Sequence, residues 1–87
     1  MSPRAVPNAD LAPTDSEVTD YDRDRLTVYV RLLDAAAADA PWQDAARIVL
    51  GIDPGEEPER ARRMYDSHLA RARWMTEHGY RDLLRKP

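Results

Sequence analysis

The sequence predicts an all-α fold, a small helical bundle of the helix-turn-helix kind with a short C-terminal helical turn. Three observations carry the prediction. Apolar residues recur at three- and four-residue spacing in three segments. Proline and glycine fall between those segments and not inside them. No stretch alternates apolar and polar residues in the manner of a strand.

Residues 1–19 contain Pro3, Pro7 and Pro13 among small and polar residues and bury little, so a disordered tail is expected there, with the helical domain at 20–87. Thr19 or Asp20 suits an N-cap, and Asp20, Asp22 and Asp24 place negative charge at the positive end of a helix dipole. In the first helix Leu26, Tyr29, Val30, Leu33, Ala36 and Ala37 form a core stripe, which Ala40-Pro41 ends. The second helix, 42–50, turns Trp42, Ala45, Ala46 and Val49 inward, and Gly51 is its left-handed cap. A loop over 52–58 holds the turn residues Asp53-Pro54-Gly55. The third helix, 59–78, gathers Ala61, Met64, Tyr65, His68, Ala72 and Met75 on one face and spreads Arg60, Arg62, Arg63, Asp66, Arg71, Arg73 and Glu77 over the rest. Gly79 closes it, and Tyr80, Leu83 and Leu84 are expected to fold back over the bundle. The alanines of the second helix allow its neighbours to approach closely, as in a trihelical bundle.

Composition removes several function classes. With no cysteine there is no disulfide framework or thiol nucleophile, and the usual structural zinc sites are excluded. His68 and His78 stand ten residues apart, not adjacent on one helix face, and His68 on the apolar stripe reads as a buried, hydrogen-bonded side chain. Ser16 and Ser67 lack the setting of an activated nucleophile, the carboxylates sit mostly at helix starts and loops, and no glycine-rich phosphate loop occurs. We expect neither an enzyme nor a cofactor. No apolar run approaches the roughly 18 residues that span a bilayer, so a cytoplasmic protein without a membrane partner is expected. A core below roughly 70–80 residues supplies only about 3–5 kcal/mol, which makes a partner or a homodimer a reasonable expectation.

The net charge of −3 is unevenly distributed. Residues 1–58 carry five basic and twelve acidic groups, net −7, and residues 59–87 carry eight and four, net +4. Arg60, Arg62 and Arg63 open the third helix where a helix-turn-helix protein meets the major groove. Asp53, Glu56, Glu57 and Glu59 precede or flank them and would repel phosphate, so DNA binding by this chain alone is not expected. Arg62 is also spaced to pair with Asp66. Trp74 on the polar side of its helix, and a second stripe of Val28, Leu32 and Ala35, point instead to a protein-binding surface. Its candidate residues are Val28, Leu32, Asp53, Glu56, Glu57, Arg63, Trp74 and Arg81.

The segments RLTVYVRLLDA, PWQDAARIVLG and HLARARWMTEHGYRDLLR resemble a proteobacterial domain of unknown function found in regulators of mobile genetic elements, over about residues 22–85. Its most distinctive part is Gly79-Tyr80-Arg81 followed by Leu83 and Leu84, with Trp42 as a second signature. The resemblance implies a helix-turn-helix variant, used both as the DNA-binding end of FseA-like activators and as free-standing QseM-like antiactivators. The length of this chain favours the second use. The implied function is capture of a transcriptional activator, FseA-like or a TraR-like quorum-sensing regulator, repressing excision and conjugative transfer, with the acids of 53–59 imitating phosphate. The alternative is a DNA-binding transcriptional regulator or an excision-directing factor.

Overall fold

Local chemistry sets the helix boundaries. In the computed structural model, which describes residues 8–79, α1 spans Asp20–Asp24, α2 Leu26–Ala37, α3 Trp42–Ala45 and α4 Pro58–Trp74. Wider π-helical turns extend α3 over Ala46–Leu50 and α4 over Met75–Gly79. Among the described residues there is no strand, and no helix is long and apolar enough to cross a membrane.

Thr19 caps α1 in a reciprocal box: its hydroxyl accepts from the Asp22 N–H, and the Asp22 carboxylate accepts from the Thr19 N–H at 2.9 Å. The single first helix expected from sequence is broken at Arg25, whose φ of −110° and ψ of 15° leave the helical region. α2 then ends on Asp39 in the left-handed region, with the Ala40 N–H returning to the Ala35 carbonyl. Pro41 introduces α3, and Gly51 caps its π turn at φ 74°.

α4 is the central member and packs against α2 and α3. Its six expected core residues are all buried, with Leu69 added. In α3, Ala45, Ala46 and Leu50 are buried, while Trp42 and Val49 are half-buried against the same core and Ile48 is 66% exposed. The core face of α2 is wider than the stripe the sequence suggests: Tyr29 is fully buried as expected, and a second stripe is covered beside it. Leu32 is fully buried and Val28 and Ala35 pack beside it, whereas Val30 faces outward. Val28 and Leu32 therefore belong to the core, not to a partner surface. Both stripes of α2 carry apolar residues, and contact with the rest of the bundle buries part of each, Tyr29 in one cluster and Leu32 in another.

Residues 8–19, where the sequence suggests a disordered tail, form an extended strap laid along the bundle. The Asn8 amide donates to the Leu50 carbonyl at 3.1 Å, the Ala12 N–H to the Ser67 hydroxyl at 3.1 Å, and Ala12 is buried. Apolar spacing carries no sign of this, because the segment is held mostly through its own backbone groups. The expected fold-back of Tyr80, Leu83 and Leu84, and the candidate Arg81, lie outside the described residues.

Candidate nucleic-acid interface

Helical geometry divides α4 into three faces. The inner face holds the core. One flank, carrying Arg60, Ser67 and Arg71 at spacings of seven and four residues, receives the strap. The outward face carries Glu59, Arg62, Arg63, Asp66, Ala70, Arg73 and Glu77, all exposed.

The strap flank is anchored by a buried ion pair. Arg71 donates from Nε to Asp22 Oδ1 at 3.0 Å and from a terminal nitrogen to Asp22 Oδ2 at 2.8 Å, with side-chain exposures of 4% and 0%. The same guanidinium donates to the carbonyls of Asp15 at 2.6 Å and Glu17 at 3.0 Å, and lies 3.9 Å from the Trp74 ring centroid. Tyr29 donates its hydroxyl to Asp22 at 2.7 Å. Burial drives the Asp22 pKa up, but Arg71, the Thr19 N–H and the hydroxyls of Tyr29 and Thr19 outweigh it and bring it down to about 2. Burial, then the adjoining Asp22 carboxylate, pushes the Tyr29 pKa upward. Trp74 is accordingly half-buried, packed against the Tyr29, Ala72 and Met75 cluster and stacked on His78 at 5.8 Å. Of the two roles open to Trp74 from sequence, packing within the fold or contact with a partner, its half-burial shows the first.

His68 lies on the inner face as expected, fully buried. Its Nε2 sits 2.6 Å from the Tyr21 hydroxyl and its Nδ1 2.7 Å from the Met64 carbonyl. Burial lowers its pKa.

The outward face begins at the acidic loop, whose carboxylates are partly occupied. Asp53 accepts from the Gly55 N–H at 2.8 Å, shaping the turn, and Glu57 accepts from Arg60 at 2.9 Å. Arg60 also donates to Asp10 of the strap at 2.8 Å. Arg62 pairs with Asp66 at 3.0 Å, as its spacing suggests, and its guanidinium lies 5.0 Å from the Trp42 ring. Arg63 and Arg73 make no ion pair among the described residues. Glu57, Pro58, Glu59, Arg60 and Arg63 line an open depression at the start of α4, where the N-cap residue Glu57 makes no side-chain cap to the helix amides. The structure thus brings Glu57 and Arg63 together, with Asp53 and Glu56 on the adjoining loop, and separates this group from Val28 and Leu32.

Residues 4–85 match the RovC DNA-binding domain family, described as "T6SS, Transcription factor, DNA binding domain". The chain belongs to this family. The match starts ahead of the strap and so covers it together with the helices. No curated protein matches the chain. Membership in a DNA-binding family overturns the expectation that this chain alone would not bind DNA. The acids near Arg60 are not all free to repel phosphate: Asp53 turns its carboxylate to the Gly55 N–H and Glu57 pairs with Arg60. The match gives no support to antiactivation or to FseA-like and TraR-like partners.

Of the residues that matter to this surface, the sequence reading missed Asp10, Asp22 and Arg71. Arg71 had a signal: it stands three residues after His68 and four before Met75, on the edge of the buried stripe. Asp10 had none.

Proposed function

We propose that the domain binds duplex DNA as part of a transcription factor, presenting the outward face of α4 to the groove with Arg63 as its principal contact. Family membership supplies the class of ligand. The observation that carries the site is the division of labour among the α4 arginines. Arg71 is committed to the core and Arg60 and Arg62 to carboxylates, which leaves Arg63 exposed and without an ion pair among the described residues, beside helix-start amides that Glu57 does not cap. Uncapped amides and a neighbouring guanidinium together suit a phosphate, and an arginine one turn into a groove helix also reaches a guanine edge. Arg73, three turns further on, extends the cationic side toward the backbone.

The test is enrichment of a random duplex pool on the protein, followed by fluorescence anisotropy with the selected duplex. Arg63→Ala should weaken binding at least about fivefold, the lower end of a lost specific arginine contact, while leaving the circular dichroism spectrum unchanged. Arg31→Ala on α2 controls for simple loss of charge. Equal affinity for every sequence, or an Arg63→Ala protein that binds like the parent, would remove this assignment.

A further inference from the structure

Among the described residues, Arg60 is the α4 arginine held by two carboxylates at once, and the two come from different parts of the chain. Its Nε donates to Asp10 on the strap at 2.8 Å and a terminal nitrogen donates to Glu57 at 2.9 Å. Each carboxylate gives the guanidinium a single anionic oxygen to donate to, the kind of acceptor that a phosphodiester oxygen also offers. We infer that Asp10 is an internal stand-in for a DNA phosphate on Arg60, and that duplex DNA displaces it; this rests on the DNA-binding reading above.

Three features support the exchange. Arg60 and Arg63 line the same depression, so a phosphate drawn to Arg63 arrives beside Arg60. The pair is exposed, 43% on the arginine and 51% on the aspartate, and exposed pairs of this kind hold weakly enough to be traded. The strap is anchored independently beyond Asp10: Ala12 is buried and donates to Ser67, and Arg71 grips the carbonyls of Asp15 and Glu17. Asn8 and the Ala9 N–H hold the strap on the other side of Asp10, so displacing the Asp10 carboxylate is a side-chain movement that leaves the bundle closed. In the free protein the contact masks a cation and sets a carboxylate where the DNA backbone would run, and both effects oppose binding.

The experiment measures affinity for the duplex selected by the parent protein over a range of salt concentrations. Asp10→Asn should tighten binding by about 1.5- to 5-fold, the reach of a surface ion pair. It should also steepen the plot of log affinity against log salt by up to about 0.9, one extra phosphate contact. Glu56→Gln removes a neighbouring carboxylate with no hold on Arg60 and should give a smaller gain, while in an Arg60→Gln background Asp10→Asn should lose most of its effect. An Asp10→Asn gain that equals the Glu56→Gln gain, or survives in the Arg60→Gln background, would overturn the inference while leaving DNA binding standing. A parent protein that binds no duplex at low salt would overturn both.

Discussion

Two ion pairs join α4 to the segment before α2, and they differ in almost everything except their chemistry. Arg71–Asp22 is enclosed, with exposures of 4% and 0%, and every oxygen of the carboxylate is engaged by Arg71, Thr19 or Tyr29. Arg60–Asp10 lies eleven residues nearer the start of the same helix at a comparable distance, yet both partners remain about half in water. Removing one member of an enclosed pair strands a charge that neither water nor protein satisfies, which is far more costly than the pair is worth as a whole. Losing one member of an exposed pair lets water take its place. The first pair fixes architecture, and the second is free to serve an exchangeable contact.

That contrast is sharpened most by breaking the enclosed pair. Arg71→Ala should cost about 3–5 kcal/mol by leaving Asp22 buried without its counter-charge. In a domain this small that is comparable with the whole stability, so the variant should show reduced helical ellipticity at room temperature. A urea midpoint close to the parent's would show that the pair is not structurally enclosed.

Acid titration is the intermediate case. The Asp22 pKa is lowered from 3.8 to about 2, so the folded carboxylate holds its proton less readily than the unfolded one. The stability it contributes, about 2 kcal/mol by linkage, is complete above about pH 4 and is lost as pH falls toward 2. His68 is also lowered, from 6.5, so its neutral folded form is favoured above that value and stability declines as pH drops below it. Urea midpoints measured from pH 8 downward should be level to about 6.5, fall as His68 is forced to protonate, and fall again between 4 and 2. His68→Gln should remove the first decline alone, and a level curve between 4 and 2 would contradict the Asp22 assignment.

The smallest effect belongs to the exposed pair. Asp10→Asn should change stability by less than about 1 kcal/mol, and less still at high salt. A loss as large as that from Arg71→Ala would mean that Asp10 anchors the strap, which is incompatible with its displacement by DNA.

Much of the fold was legible in the sequence where the deciding interactions are short. Met64, His68, Ala72 and Met75 recur within one helix, so their common face follows from helical pitch. The Arg62–Asp66 pair and the Gly51 cap are likewise local. On α2 the expected Tyr29 is buried, but Leu32 and Val28 are drawn into a second, adjoining cluster, and period alone does not show that both stripes are covered. The candidate surface was legible in part. Arg63 was singled out, but its neighbours' commitments to Asp10, Glu57 and Asp66 decide what Arg63 is free to do.

By itself the sequence determined an all-helical bundle, the inner face of α4 and the punctuation at Pro41 and Gly51, because these follow from pitch, capping and backbone restriction over a few residues. Only the tertiary structure decided that Arg71 would close on Asp22 across 49 residues, that Arg60 would reach Asp10 across 50, and that a proline-broken segment would become a strap. Those contacts depend on where the folded chain carries residues distant in sequence, and local spacing holds no information about that meeting.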